Sequence, residues 1–532
     1  MTTQRDLRNT LRSTRRHVPT NLPYRKRLPA SPKNIVVIGA GLGGLTSALI
    51  MASEGHHVSI LERNSIPGGK CSQIEEKGYR FDTGPSVLTM MQTLEEVFSY
   101  APKPLESYLE CIPMDPLCHY WDRELPSVAD STASFMNYAN LQYTLDEVKR
   151  IAPYDVEGFK ALVQLSSELY RKTNATFIRN PLARLKDLKG LPWLDLLDIK
   201  AFSTVSQVVD KHVQSPFLRK FFKRFTTYNG SSPFLAPGTL HVIPHVELSL
   251  GAWYIKGGLY QLVKALEKAC LELGVNIYYD HDVQQIQTKK GRVVEVSTSS
   301  QSFEADILIS NTDSIELPLR LASQSATKRE KDAALEQQPS SSGFVLLLGT
   351  KKSWPQLGHH NIFFSNDYDN EFEEIFHKHQ YPSDPTIYIS NTSASDSEDA
   401  PKGGSNLFVL VNVPPLKEHT LHRQAERESE SLEYANKLIH ELESRGLKGL
   451  RASIEVQYIH TPVHYFNTYR SNRGAIYGTS SNSPWAAFLR PRNAHPRFKN
   501  LYRVGGSTHP GGGIPLVLQS ALNATKLALD TL

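Results

Sequence analysis

The stretch Asn34-Ile35-Val36-Val37-Ile38-Gly39-Ala40-Gly41-Leu42-Gly43-Gly44 decides the fold. Its apolar run suits a parallel strand buried on both faces, where polar and apolar residues need not alternate. In the glycine cradle that follows, Gly39 allows a tight turn, Gly41 lets the backbone approach a pyrophosphate, and Gly44 lets a helix pack closely on the strand, with Gly43 beside it. The helix carries Leu45, Ala48, Leu49 and Ala52 as an apolar stripe, so its amino end points at an anion. A second strand, Val58 to Leu61, ends in Glu62, at the distance where an acid binds the ribose hydroxyls of an adenosine. Strand, cradle, helix, strand and acid in this order read as a dinucleotide site, for NAD or FAD.

The rest of the chain favours FAD. Pro67-Gly68-Gly69-Lys70 follows closely on Glu62. Near the carboxyl end, Leu501-Tyr502-Arg503-Val504 leads into Gly505-Gly506-Ser507-Thr508-His509-Pro510-Gly511-Gly512-Gly513-Ile514-Pro515 and a helix from Leu516 to Leu529. A second helix amino end thus faces a ligand too long for the first cradle alone. A long dinucleotide held from both ends of the chain fits FAD better than NAD.

These motifs, together with Phe81-Asp82-Thr83-Gly84-Pro85-Ser86 and Trp253-Tyr254-Ile255-Lys256-Gly257-Gly258, resemble the bacterial and fungal carotenoid desaturases of the phytoene and diapophytoene type, from about Asn34 to Leu532. The middle stretches around His359-His360-Asn361-Ile362 and Asp384-Pro385-Thr386-Ile387-Tyr388 also resemble family members that desaturate or oxidise linear carotenoids. The resemblance implies an α/β fold of amine-oxidase-like architecture: a discontinuous Rossmann-type FAD domain with an inserted mixed-sheet and helical substrate domain. It implies FAD held by Gly39, Gly41, Gly43, Gly44, Glu62, Gly69, Lys70, Val283, Gly505, Gly506, Gly513, Ile514 and Pro515. Val283 is expected to meet the adenine through its backbone.

The chain has 532 residues, enough for about three domain-sized units. Its net charge of +5 is unevenly spread, because nine basic residues against Asp6 give residues 1–33 a charge of +8 and leave −3 for the body. Such a tail is expected to be disordered and lacks the apolar core of a secretory signal. Organellar import, contact with anionic lipid and a plain solvated extension all fit it. The acidic body and the want of any recognisable module speak against nucleic-acid binding. Cys71, Cys111, Cys118 and Cys270 form no CxxC pair, which argues against a metal site and for a reducing compartment. With no run of 18 apolar residues, membrane contact is expected to be peripheral, on the cytoplasmic face.

The expected organisation is a basic tail (1–33), three FAD-binding parts (34–103, 241–312 and 496–532), a helical, membrane-facing substrate domain (104–240) and a substrate-domain sheet (313–495). Within the helical part, Leu182 to Leu197 and Phe217 to Phe225 interleave apolar side chains with Lys and Arg. That pattern suits either a helix lying in a lipid interface or one packed on its own core. Strands are expected at 275–279, 283–288, 293–298 and 307–310, and a second sheet from 343–348, 386–390 and 407–413. Arg470 to Gly478 is expected to line the pocket near the flavin.

The chemistry implied is desaturation of a linear carotenoid by hydride transfer to FAD, with quinone or oxygen as the electron acceptor. His509, His245 and Glu247 are candidates for taking the final proton, though each also suits a purely local hydrogen bond. Terminal-methyl oxygenation and polyene isomerisation are the rivals within the family. Thr508-His509-Pro510 resembles the desaturase ending, whereas Gly512, the His359-His360 stretch and Ser471 to Gly478 also fit the oxygenases. A non-catalytic prenyl-lipid carrier of the same fold is the alternative of another class, and an intact cradle with Glu62 argues against it.

Overall fold

The computed structural model describes residues 29, 31–125, 134–181, 203–417, 427–483 and 490–532. Residues 1–28 and 30 of the expected tail, and Leu182 to Leu197, lie outside the described residues.

Asn34–Ile38 is the central strand of a five-stranded parallel sheet. Its neighbours are Ile307–Ser310 on one side and His57–Leu61 on the other, with Leu501–Arg503 and Asn276–Tyr278 at the edges. Three separated stretches of chain therefore build one sheet, as the discontinuous reading requires. Helices Leu42–Ser53, Tyr260–Glu272 and Ile514–Leu529 cover one face. A three-stranded antiparallel sheet, Val283–Lys289, Arg292–Thr298 and Ser302–Glu304, packs on the other. The first helix departs from expectation. All of its residues are buried, not one stripe, because it is enclosed by the sheet and the two other helices.

The second sheet has seven strands, in the order Ile454–His460, Ser342–Thr350, Ser405–Val413, Ile387–Asn391, His360–Phe363, Cys118–Trp121 and Ser134–Asn137. The last two correct the helical reading of 104–240, since that region supplies the final two strands of the sheet assigned to 313–495. Cys111–Pro113 likewise pairs with Trp253–Ile255, so the insertion is tied into both its neighbours. Alternation along the strands gives the sheet two unlike faces. Ile387, Ile389, Val409 and Val411 pack under helix Glu428–Ser444. Thr386, Tyr388, Phe408, Leu410 and Asn412 face the opposite way, into a cavity.

The segment Phe217 to Phe225 is core. Helix Pro216–Lys223 is capped by the Ser215 side chain, which accepts from Leu218 N–H, and Phe217, Phe221, Phe222 and Phe225 are at most 2% exposed. Its cations also turn inward: Lys220 pairs with Asp122 at 3.1 Å and Lys223 with Asp210 at 3.0 Å. These side chains bind one another and not lipid, so this membrane anchor is withdrawn.

Candidate active site

One cavity of about 590 Å³ runs from the carboxyl ends of the parallel strands across the inner face of the seven-stranded sheet. Ligands of open α/β sheets bind at such strand ends. Gly39, Gly41, Gly43, Glu62, Gly69, Lys70, Val283, Gly505, Gly506, Gly513, Ile514 and Pro515 all line it, so residues more than 400 positions apart in sequence meet around one space. Gly44 does not line it. A methyl group there would lie 1.9 Å from the Gly39 carbonyl oxygen, so its role is helix-to-turn packing.

The cradle is narrower than a pyrophosphate alone demands. Asn311, at the end of strand Ile307–Ser310, leans over it, and a methyl group on Gly41 or Gly43 would come within 2.6 Å of its amide. Asn311 therefore explains two of the glycines and is itself a site residue that sequence reasoning missed. The signal was present in its position: it ends a parallel strand beside the one that ends in Gly39.

Helices Leu42–Ser53 and Ile514–Leu529 both begin at the cavity, and neither first turn is capped by a side chain. Two sets of free backbone donors at two positive helix ends thus converge on one space. Glu62 is 4% exposed, and its carboxylate accepts from Ala40 N–H at 2.7 Å and Asn64 N–H at 2.8 Å. Burial pushes its pKa up while these donors pull it down. An acid at one end, uncapped donors along the middle and a second helix terminus at the far end match the ribose, pyrophosphate and flavin of FAD in turn.

Lys70 is half-buried; desolvation takes its pKa down to about 8, against the nearby Asp313 carboxylate, which raises it. Its ammonium donates to the Ala475 and Ile476 carbonyls at 2.9 and 3.3 Å, so it holds Arg470 to Gly478 against the cavity. Val283 reaches the wall, with its carbonyl accepting from Arg320 at 3.1 Å. Arg490, also missed, lines the cavity and donates to Asn229 and Ser481, both at 2.9 Å.

The proton-accepting candidates are placed apart. Glu247 is on the cavity wall, but its oxygens accept from Arg224 at 2.6 Å, Asn137 at 3.1 Å and Tyr228 at 2.5 Å. Arg224 is in turn enclosed by the rings of Tyr120, Phe221, Phe225 and Tyr228. His509 is fully buried behind the terminal motif, where its Nε2 meets the Asn180 carbonyl at 3.0 Å and its ring lies edge-on to Phe177. His245 packs on Tyr170. Neither histidine lines the cavity, and burial takes both down to about 4, which disfavours the protonated form.

The family model for flavin containing amine oxidoreductases matches residues 42–529. The chain belongs to that family. It is an FAD-dependent oxidoreductase, and the residues of the cavity's two-ended cradle fit that cofactor. Among curated relatives, 4,4'-diaponeurosporene oxygenase of Staphylococcus aureus (strain MSSA476) is 34% identical over 494 residues, covering 92% of this chain and 96% of the relative. The carotenoid side of the family is thus the one this chain resembles. An oxidoreductase from Methanosarcina mazei shares the fold with a TM-score of 0.60 at 18% identity, covering 93% of this chain and all of that one. Cyclohexylamine oxidase from Brevibacterium oxydans IH-35A does so with a TM-score of 0.58 at 13% identity, covering 94% of this chain and all of that one.

Proposed function

We propose that the protein oxidises a linear carotenoid-type polyene at a terminal methyl group, giving an oxygenated chain end. Near full-length similarity to the 4,4'-diaponeurosporene oxygenases carries this reading. The cavity wall supports it: Ile362, Phe372, Phe408 and Leu410 offer apolar surface to a hydrocarbon, which gains about 25 cal/mol for each Å² withdrawn from water. Bound FAD would supply the two-electron acceptor for each of two steps, methyl to alcohol with the oxygen atom drawn from water and then alcohol to aldehyde, with oxygen or a quinone taking the electrons onward.

The chain's own residues bind, orient and polarise. The inner face of the seven-stranded sheet holds the polyene extended along its strands. The uncapped turn at Gly513 and Ile514 directs backbone N–H donors at the cavity, where they stabilise negative charge that develops during oxidation. Arg224 and Glu247 neutralise each other within the wall, so the surface beside the polyene carries no net charge there.

Desaturation is the second reading, favoured by Thr508-His509-Pro510. Incubating the purified holoenzyme in air with a linear polyene and weighing the product separates the two. Oxidation of a methyl group to an aldehyde adds one oxygen and removes two hydrogens, whereas desaturation removes hydrogen alone. An oxygen-free product of longer conjugation overturns the first reading in favour of the second, and no turnover of any linear polyene overturns both. We further propose that the protein acts peripherally at the cytoplasmic face of a membrane, because its substrate dissolves in lipid. Among the described residues no helix is long and apolar enough to cross a bilayer.

A further inference from the structure

One part of the cavity wall does not suit a hydrocarbon. On the strands Ile387–Asn391 and His360–Phe363, the side chains of Tyr388 and His360 reach the cavity beside Ile362 and Leu410. The Tyr388 hydroxyl lies 2.7 Å from Ser86 Oγ and 2.8 Å from His360 Nδ1, so the three groups form one hydrogen-bonded chain. His360 is 4% exposed, and its Nε2 has no hydrogen-bond partner. Burial, with His359 and Arg224 nearby, holds its pKa well below the ordinary value, so the ring is neutral.

A buried ring nitrogen without a partner is unfavourable unless a ligand satisfies it, and a hydrocarbon cannot. The chain of three groups can present either sense of hydrogen bond. When Tyr388 donates to Nδ1, Nε2 carries the proton and donates to an oxygen. When Nδ1 donates to Tyr388 and the phenol donates to Ser86, Nε2 becomes an acceptor for a hydroxyl. An aldehyde needs the first arrangement, and an alcohol can use either.

We propose that Ser86, Tyr388 and His360 form a subsite for an oxygen-bearing chain end, so that the enzyme takes linear polyenes whose terminus is already a hydroxyl or an aldehyde. This rests on the polyene reading above. It adds that the substrate class includes partly oxidised chains, supplied by a reaction that places oxygen on a terminal carbon.

Binding to the holoenzyme tests it without turnover. Three linear polyenes of equal length, ending in a methyl group, a primary alcohol or an aldehyde, are titrated anaerobically into holoenzyme whose flavin has first been reduced, so that no electron acceptor is present, while the polyene absorption band is followed. The wild type is expected to bind the two oxygenated chains about ten-fold more tightly than the hydrocarbon, the worth of one hydrogen bond in a dry site. The aldehyde band is expected to move to longer wavelength as its carbonyl accepts a hydrogen bond. Tyr388→Phe removes one hydroxyl and keeps the ring, and His360→Phe removes both nitrogens. His360→Phe should erase the preference and the shift, and Tyr388→Phe, which leaves Nε2 without a fixed tautomer, should weaken both, with flavin absorbance confirming that the variants fold. Equal binding of all three chains by the wild type, or a preference that survives both substitutions, overturns the subsite and leaves the polyene reading standing. Failure of every chain to bind the wild type overturns both.

Discussion

Glu62→Ala separates what the acid does for the fold from what it does for the cofactor. In the protein alone, the carboxylate is the acceptor for Ala40 N–H at 2.7 Å and Asn64 N–H at 2.8 Å, in a site where it is only 4% exposed. Removing it leaves two backbone donors unpaired, at a cost of about 1–3 kcal/mol each. Hydrogen bonds from ribose hydroxyls to a charged acceptor add about 1.5–3 kcal/mol each, felt only when FAD is bound. Flavin affinity is thus expected to fall by at least about 100-fold, or ~3 kcal/mol, beyond any loss of apoprotein stability. Glu62→Gln keeps one acceptor and turns an NH₂ group towards the other donor, so it should fall between the parent and the alanine variant. The two contributions respond oppositely to pH. Burial raises the Glu62 pKa, so its contribution to apoprotein stability is full below the unfolded-state value and is lost as pH rises through the folded one. Cofactor binding needs the ionised acceptor and strengthens in that same direction. Flavin titration of the apoprotein, with denaturant unfolding in parallel, measures both. A Glu62→Ala protein that binds flavin as the parent does would refute the assignment.

Three further outcomes follow from the packing. Glu371 is fully buried and pushed up to about 7 by desolvation, so its contribution to stability is present below the ordinary glutamate value and is lost as pH rises through about 7. Glu371→Gln, whose amide can still serve Ser365 and Thr386, should therefore gain about 3 kcal/mol relative to the parent between pH 5 and pH 8.5, visible as a flatter plot of Tm against pH. Glu247→Leu strands the buried Arg224 charge and should cost about 3–5 kcal/mol, while adding Arg224→Met recovers most of it; denaturant melts of the parent, the two single variants and the double variant close the cycle. Phe222→Ala should cost about 3–5 kcal/mol in stability and leave liposome flotation of the folded protein unchanged, because the ring is core; flotation lost without any change in stability would restore it as an anchor.

The flavin half of the molecule was legible because its signals are local. Ile35 to Ile38, the cradle and Glu62 lie within thirty residues, and each needs only its neighbours to be understood. The strand Ile307–Ser310 and helix Tyr260–Glu272, ended by Gly274 at φ +80°, were equally plain from burial pattern and stop signal. Phe217 to Phe225 was not, because an apolar stripe flanked by lysines has two solutions with the same periodicity, one in lipid and one in a core. What decides between them is the location of Asp122 and Asp210, which take Lys220 and Lys223 inward, and Asp122 lies 98 residues from its partner. The strands at Cys118 and Ser134 were hidden for a related reason: they are short strands at one end of the sheet that acquire their identity from pairing with each other and, for the first, with His360–Phe363.

The same reasoning separates the two kinds of site residue. Those expected to hold the cofactor use backbone groups at turns and helix ends, whose geometry dictates glycine, and glycine spacing shows in the sequence. Those proposed to meet the substrate use side chains brought together by sheet register. His360 is two strands away from Phe408, and Tyr388 lies between their strands because Tyr388 pairs with both Ile362 and Leu410. No spacing rule in the chain encodes that meeting. The histidines that spacing did single out, His245 and His509, are conspicuous in their motifs and yet lie behind the wall. On the proposed reading, substrate preference is therefore set by register in the seven-stranded sheet, and a change there is expected to alter which polyene is taken while the glycine cradle stays as it is.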